Sequence, residues 1–439
     1  MTADTSGSET SPVASGEQRR ANSEWRVCII GSGPAGCYVA EHLLKLLPEA
    51  RIDVIEKLPV PFGLIRYGVA PDHQSTKSAG RVLDRTLSRD RVRFFGNVEV
   101  GRDVTLDELR TMYDAVVLAT GAPRDRKLEI AGEDLPGVVG SGAFVNWYNG
   151  HPSRGVPHLK NVRSAVIIGN GNVALDVARI LAKGADELKG SDLTPDVHET
   201  LQAQPLREIH IVGRRSASEA KFSPAELKEI GTLRRAKPVV ESPKTIGVDT
   251  PVEQVLQEFA AHPRGDLPVT IHFHFGLAPV AFEGDESVQS ALFRTASGQP
   301  IDIPAQLCVT AIGYESVPCC TASPENGVFA NHDGKIEDGL YVVGWAKRGP
   351  SGTIPTNRAE ALQVAQKIAT EVTSTRNSVD DLCEILRARG VSWVDYAGWK
   401  RIEAAERAAA SDDRCLGKMV QAHEMMRVAN QPDSRPTES

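Results

Sequence analysis

The feature that most constrains this fold is a strand, a glycine-rich loop and a helix in succession, a pattern that occurs twice in the chain. In the first copy, the apolar run VCII leads into Gly31-Ser32-Gly33-Pro34-Ala35-Gly36 and then into a helical pattern. Gly31 permits a tight turn, Gly33 lets the backbone approach a pyrophosphate, and Gly36 lets the helix pack closely on the strand. Because the helix N-terminus also offers amide donors to phosphate oxygens, the segment predicts a dinucleotide-binding loop.

A carboxylate follows this loop at an informative distance. The strand pattern RIDVIEK places Glu56 twenty residues after Gly36. A carboxylate at that spacing accepts hydrogen bonds from the ribose hydroxyls of an adenine dinucleotide. An exposed glutamate at a strand end is the alternative interpretation. Further on, MYDAVVLATGAP predicts another buried strand, which breaks into Ala119-Thr120-Gly121.

The second copy of the pattern lies in SAVIIGNGNVALDVARIL. Its loop is Gly169-Asn170-Gly171-Asn172-Val173-Ala174. Ala174 replaces the third glycine, a substitution often found where such a loop holds NADP. Two loops imply two dinucleotides, and a flavin enzyme that takes hydride from a nicotinamide accounts for both most economically.

Two adjacent arginines end the strand that should pair with the second loop. The segment EIHIVGRR delivers Arg214 and Arg215 where a carboxylate would hold the ribose of NAD. A carboxylate there would repel a 2′-phosphate, whereas guanidinium groups can bind it through paired, charge-assisted hydrogen bonds. The pair therefore predicts selectivity for NADP(H) over NAD(H). Two solvated loop arginines remain the simpler structural alternative.

Composition excludes several other classes of protein. The chain has 439 residues and a formal charge of −7, which argues against nucleic-acid binding through a basic surface. No apolar run approaches the roughly 18 residues that span a bilayer. The polar residues 1–23 predict a disordered tail on a cytoplasmic protein. The seven cysteines lack C-x-x-C spacing, so we expect reduced thiols and no metal centre.

Longer motifs add a family resemblance. PFGLIRYGVAPDHQSTK, VGRR and YVVGWAKRGPSGTIPTN, together with the two loops, resemble the adrenodoxin-reductase-like ferredoxin–NADP reductases, which are related in fold to glutathione reductase. The likeness covers most of residues 25–365. It implies an FAD-dependent ferredoxin–NADP(+) oxidoreductase, of EC 1.18.1 type, that moves hydride from NADPH to FAD and then single electrons to a small iron–sulfur ferredoxin.

The resemblance also implies particular cofactor contacts. Those to FAD would come from Gly31, Gly33, Ala35, Gly36, Glu56, Leu64, Val100, Trp345, Gly352, Thr353 and Ile354. Those to NADP would come from Arg126, Gly169, Asn170, Gly171, Asn172, Val173, Arg214, Arg215, Glu226 and again Gly352. His73 would pair with Glu229 beside the flavin and orient groups or manage protons there. A His73–Glu229 contact that only locks two domains together is the alternative.

A basic repeat follows directly on the PDH motif. Lys77, Arg81, Arg85 and Arg89 recur every four positions, which at helical spacing forms one positive stripe. Such a stripe on an acidic protein could steer an acidic ferredoxin to the place where electrons leave. A solvated helix face is the simpler interpretation.

The predicted fold class is α/β, with two Rossmann-like dinucleotide-binding domains. We expect an FAD domain of residues 24–121 and 338–439, interrupted by an NADP domain of residues 122–337. Three other functions compete: a flavin disulfide reductase, for which Cys28 and Cys37 would have to react; the reductase subunit of a larger complex, such as glutamate synthase; and an NADP-sensing scaffold. Another NADPH-dependent flavin reductase or diaphorase is the nearest alternative activity.

Overall fold

The computed structural model describes residues 25–159, 161–242, 245–372 and 380–432. The predicted tail, residues 1–23, lies outside them. In chain order the strands are β1 Arg26–Ile30, β2 Arg51–Glu56, β3 Val92–Gly96, β4 Ala115–Leu118, β5 Arg124–Asp125, β6 Val138–Gly140, β7 Ser164–Ile168, β8 Glu208–Gly213, β9 Ala236–Val240, β10 Val269–Phe275, β11 Leu277–Glu283, β12 Ser290–Thr295, β13 Pro300–Pro304, β14 Leu307–Thr310, β15 Tyr314–Glu315, β16 Lys335–Glu337 and β17 Leu340–Val342.

Fifteen α-helices lie between or after these strands in the described residues. They are α1 Pro34–Leu46, α2 Leu64–Tyr67, α3 Gln74–Lys77, α4 Gly80–Leu87, α5 Leu106–Met112, α6 Ser141–Tyr148, α7 Asn172–Ala182, α8 Pro195–Gln202, α9 Pro224–Ile230, α10 Pro251–Ala261, α11 Trp345–Arg348, α12 Ile354–Glu371, α13 Leu382–Ala388, α14 Tyr396–Ala408 and α15 Ala422–Ala429. Short 3₁₀ turns cover Ala185–Glu187 and Ala217–Glu219. Among the described residues, no helix has both the length and the apolar character needed to cross a bilayer.

The first sheet has the strand order β16-β17-β4-β1-β2-β3. Its strands are parallel except for the β16–β17 hairpin. Both faces are covered, which explains why these strands are runs of valine, isoleucine and leucine rather than alternating patterns. The order reverses between β1 and β4, and such a switch point opens a crevice at the carboxyl ends of the strands, where ligands of α/β folds bind.

The second sheet is parallel throughout and has the order β6-β14-β7-β8-β10-β9. One face packs on the main core, which includes buried residues of α7, α9 and α10. On the other face, side chains of β7, β8 and β14 pack with a small antiparallel sheet of β11, β12 and β13. Residues along β8 and β10 alternate between the main core and the opposite face, where His210, His272 and His274 are partly exposed, because successive side chains of a strand point to opposite faces.

The chain leaves the first sheet after β4 and returns to it at β16. Between these points it forms the whole of the second sheet. A ribbon of β5 and β15 pairs the outgoing segment with the returning one. The predicted α/β class with two dinucleotide-binding folds is confirmed. The domain boundaries at 121/122 and 337/338 stay a prediction, since sheet membership alone fixes no boundary.

Candidate functional site

The first glycine loop joins β1 to α1 at the switch point of the first sheet. Gly31 has a φ of +110°, and a Cβ there would lie 2.4 Å from the carbonyl oxygen of Ala119. A Cβ on Gly36 would lie 2.2 Å from the oxygen of Gly31. Nothing lies within 4 Å of the Cβ position of Gly33, which precedes the first turn of α1. The loop is therefore closed on the protein side and open at the helix N-terminus, the arrangement that a pyrophosphate requires.

Glu56 ends β2 beside this loop. Its Oε2 accepts hydrogen bonds from the backbone nitrogen of Ser32 at 3.1 Å and from the Ser32 hydroxyl at 2.8 Å. Its Oε1 accepts one from the backbone nitrogen of Leu58 at 3.2 Å. These donors fix the carboxylate next to the glycine loop while leaving further acceptor capacity on Oε1. Sequence reasoning found Glu56 but missed Ser32, which lies at the variable second position of the motif.

The segment after β17 closes the same crevice from the C-terminal side. A Cβ on Gly344 would lie 2.7 Å from the Cβ of Ala35, so this segment passes directly against the start of α1. Trp345 stacks on Tyr314 of β15, with ring centroids 5.8 Å apart and planes 13° apart. Gly352 has a φ of +83°, and Thr353 precedes the first turn of α12.

Leu64 and Val100, which also belong to the predicted FAD set, lie in different environments. Leu64 begins α2 with 45% of its surface exposed. Val100 is half-buried and bridges to Val104. The structure brings the glycine loop, Glu56 and the Gly344 segment together. The assignment of Leu64 and Val100 to FAD stays a prediction.

The second glycine loop repeats this geometry between β7 and α7. A Cβ on Gly169 would lie 2.2 Å from the oxygen of Ala311, and nothing lies within 4 Å of the Cβ position of Gly171. The side chain of Asn170 packs against Gly213, and its Oδ1 is buried with no hydrogen-bond partner among the described residues. Asn172 accepts a hydrogen bond from the backbone nitrogen of Ser223 at 2.7 Å, while Val173 packs against the main core.

The arginine pair lies where the sequence places it. Ile168 at the end of β7 pairs with Val212 of β8, so Arg214 and Arg215 follow the strand end next to the second loop. Both side chains are exposed, and Arg215 lies 3.7 Å from Glu219. Arg126 is also exposed, and its Nε donates to the carbonyl oxygen of Tyr314 at 3.2 Å.

His73 and Glu229 are in contact although 156 residues separate them, with Nε2 and Oε2 3.0 Å apart. Arg179 of α7 lies 3.4 Å from His73 Nδ1 and 3.6 Å from Glu229. Because a guanidinium only donates, Nδ1 must accept, and the proton therefore sits on Nε2 and points to Glu229. The contact joins the PDH motif to α9.

A buried ion network that the sequence did not reveal supports this contact. Arg179 is 2% exposed and pairs with both Asp72 and Asp176. Lys183 adds a contact to Asp72 at 2.6 Å. Burial alone would raise the pKa of Asp72, but the two cations outweigh it and lower that pKa. The sequence signal for this network was the spacing of Asp176, Arg179 and Lys183 by three and four residues. The same spacing is equally typical of an exposed helix face.

Besides Asn170 Oδ1, two further polar atoms close to the loops are buried and unpartnered among the described residues. One is the hydroxyl of Thr120, and the other is Oε2 of Glu226. Burial, with a smaller effect from Asp176, raises the pKa of Glu226 to about 7. Unpartnered polar atoms at the rim of a site are free to bind ligand hydroxyl or amide groups.

The prediction that Lys77 belongs to an exposed basic stripe is wrong. Lys77 ends α3 and its side chain is only 8% exposed, because its ammonium pairs with Asp192 at 2.8 Å and with Asn149. Burial, followed by the nearby charge of Lys418, lowers the pKa of Lys77 to about 7. The helix also breaks before α4. Arg81, Arg85 and Arg89 are exposed as predicted.

Cys28 and Cys37 lack the reactivity that a flavin disulfide reductase requires. All seven lie in the described residues and are free. Cys28 in β1 and Cys37 in α1 are fully buried, and burial raises the pKa of both thiols. A thiol with a raised pKa is a poor nucleophile at neutral pH. This argues against Cys28 and Cys37 as a reactive pair.

Known proteins are similar in sequence to this chain over most of its length. The family described as "Pyridine nucleotide-disulphide oxidoreductase" matches residues 25–361. The chain belongs to this family. It is 35% identical to human mitochondrial NADPH:adrenodoxin oxidoreductase over 92% of this chain and 91% of that one. It is 37% identical to cindoxin reductase of Citrobacter braakii over 94% and 93%. The predicted resemblance to the adrenodoxin-reductase group is confirmed.

A solved structure agrees with these relatives. FprA from Mycobacterium tuberculosis in complex with NADPH is 34% identical, with a TM-score of 0.87 over 93% of this chain and all of that one. The similarity extends through both sheets of this family member and through most of the segment that follows them.

Proposed function

We propose that this protein is an FAD-dependent ferredoxin–NADP(+) reductase. The observation that carries the proposal is the pair of unlike glycine loops, one beside the carboxylate Glu56 and the other beside Arg214 and Arg215. The relatives named NADPH:adrenodoxin oxidoreductase and cindoxin reductase support the reaction class and an iron–sulfur partner. The cytoplasmic location stays a prediction.

The residues at the first loop fit FAD. The open backbone at Gly33 and the N-terminus of α1 would hold its pyrophosphate, and Glu56 its ribose. Gly344, pressed against Ala35, keeps the C-terminal segment close enough for Trp345 and the Gly352-Thr353-Ile354 turn to cover the ring system. Bound FAD would supply the conversion between transfer of a hydride and transfer of single electrons.

The residues at the second loop fit NADPH. The N-terminus of α7 at Gly171 would receive the pyrophosphate, and Arg214 and Arg215 the 2′-phosphate. Glu226, with one buried oxygen free, would accept a hydrogen bond nearer the nicotinamide. Arg126, on the ribbon between the sheets, would add a further cationic contact. This arrangement directs the nicotinamide towards the first sheet.

His73 and Glu229 would act at the junction of the two nucleotide sites. His73 Nε2 directs a proton to Glu229, and Arg179 holds the ring by its other nitrogen. We assign the pair the role of fixing the approach of α9, with Glu226 on its first turn, to the flavin side of the molecule. His73 could also donate a proton from Nε2 when the local charge changes.

The absorption spectrum of the purified protein tests the proposed function. We expect bound flavin after gentle purification and rapid anaerobic bleaching by NADPH, with NADH far less effective. The reduced protein should then pass electrons to a ferredoxin, followed by reduction of cytochrome c. Absence of flavin would contradict the proposal. Bleaching without reduction of any ferredoxin in a broad panel would favour a diaphorase instead.

The partner is an acidic ferredoxin in this proposal, and it docks on the exposed arginines of α4 and the turn after it. Arg81, Arg85 and Arg89 form this basic patch, without Lys77. The patch follows closely on the His73 motif in the sequence, which is why we place the docking surface on this side of the molecule. Long-range attraction of this kind mainly raises the association rate.

Replacing Arg81 and Arg85 by glutamate should raise the KM for ferredoxin about tenfold at low salt, because two attractive charges become repulsive. Ferricyanide reduction should stay unchanged. The effect should shrink as salt is added, since exposed charges are screened. Arg294→Glu, at an exposed position of β12, is the matched control. Equal losses with ferredoxin and ferricyanide would contradict docking at this patch.

A further inference from the structure

Three histidines share one face of the second sheet and belong to neither glycine loop. His272 and His274 are separated by one residue on β10, so they point to the same side. The register of β8 against β10 places His210 directly opposite His272. Their strand neighbours Ile209, Ile271 and Phe273 all point into the main core instead. Strand geometry therefore gathers the three rings.

The ring nitrogens lie at distances that suit a shared ion. One ligating nitrogen from each ring can be chosen so that all three lie within 4.8 Å of one another. His210 Nδ1 and His274 Nε2 are 3.1 Å apart. Two nitrogens bound to one tetrahedral zinc ion, each at about 2.0–2.1 Å, lie about 3.3 Å apart. The rings are partly exposed, so an ion can reach them from solvent.

Two carboxylates surround the third ring. Glu241 Oε1 lies 2.8 Å from His272 Nδ1, and Glu208 Oε2 lies 2.5 Å from His272 Nε2. Histidine ligands of metals commonly hold a carboxylate on their second nitrogen, which fixes the ring and increases its basicity. One of these carboxylate contacts must give way when His272 binds an ion, and the other keeps the ring in place.

We propose that His210, His272 and His274 bind one divalent ion of the zinc class, with solvent completing the coordination. Three imidazoles suit zinc better than magnesium or calcium, which prefer oxygen ligands. The ion links β8 to β10 close to their carboxyl ends. Arg214 follows β8 directly, and Gly276 after β10 donates to the carbonyl oxygen of Arg215. The site therefore braces the strands that present the arginine pair.

Isothermal titration of the flavin-containing, chelator-treated protein with ZnCl₂ tests this proposal. We expect about one ion per chain with a micromolar or tighter Kd. His210→Gln and His274→Gln should each abolish saturable binding. Glu241→Gln, which removes a carboxylate that orients His272, should weaken it about 10- to 100-fold. His332→Gln is the matched control, since its side chain is 90% exposed and far along the chain.

The zinc absorption edge of the wild-type protein gives a second measurement that needs no variant. We expect a first shell dominated by imidazole nitrogen. Sulfur ligands would place the ion at a cysteine and overturn the proposal. No saturable binding by the wild type, or unchanged binding in both His210→Gln and His274→Gln, would overturn it equally.

Discussion

Replacing Arg214 and Arg215 together by alanine is expected to lower kcat/KM for NADPH about 100-fold or more, with little change for NADH. Each guanidinium can form charge-assisted hydrogen bonds to a 2′-phosphate, worth about 1.5–3 kcal/mol apiece. The loss of both contacts therefore lowers kcat/KM for NADPH at least about 100-fold, since about 1.4 kcal/mol corresponds to a factor of ten. NADH lacks the phosphate and so loses nothing comparable.

Steady-state rates with ferricyanide as acceptor measure this effect without involving ferredoxin. The loss should appear in KM for NADPH rather than in kcat, because the phosphate lies far from the reacting carbon and its contacts are the same before and during hydride transfer. Arg294→Ala controls for the removal of an exposed arginine elsewhere on the surface. If the double variant kept its preference for NADPH, the assignment of the second loop would be wrong.

The features that the sequence predicted well are those set by local backbone geometry. In both loops, a Cβ on the first glycine would collide with a backbone oxygen just after a neighbouring strand, whereas the space beside the second glycine is open for a phosphate. The spacing of the glycines in the sequence therefore predicts the loop structure directly. Glu56 and Arg214 are similarly fixed, because Glu56 ends and Arg214 follows a strand whose register with the loop strand depends on a short, apolar pattern. These elements fixed the fold class and the expected nucleotide pair.

The features that the sequence did not reveal depend on contacts between distant segments. Lys77 fitted a helical stripe, but its ammonium pairs with Asp192, 115 residues away. His272 and His274 alternate visibly along β10, yet the third histidine comes from a strand 64 residues earlier than His274. Pairings of this kind follow from how the strands and helices pack in three dimensions, which residue spacing does not specify.

Like Lys77, Arg179 pairs with a residue that is distant in the sequence, and its replacement should be the most destabilising. Arg179→Met keeps the length of the side chain but leaves Asp72 and Asp176 facing each other in a buried site. Removal of one partner from a buried ion pair typically costs about 3–5 kcal/mol in the free energy of unfolding. Urea unfolding, followed by circular dichroism and by flavin absorbance, would measure the loss.

The pH dependence of that loss follows from the pKa of Asp72. In the wild type this pKa is lowered, so the carboxylate contributes stability above its unfolded value of about 3.9, and this contribution disappears as pH falls through the folded pKa. Without Arg179 the pKa of Asp72 must rise. The difference between variant and wild type should therefore be largest near neutral pH and shrink towards pH 4. A difference independent of pH would indicate lost packing rather than lost charge pairing.

The variant His73→Gln tests the contact with Glu229 independently of the ion pairs of Arg179. It leaves the ion pairs of Arg179 intact, so its effect on unfolding should be small, whereas anaerobic bleaching of the flavin by NADPH should slow about tenfold or more. Unchanged bleaching in His73→Gln, together with a large loss of stability, would reduce the His73–Glu229 contact to a lock between the two halves of the molecule.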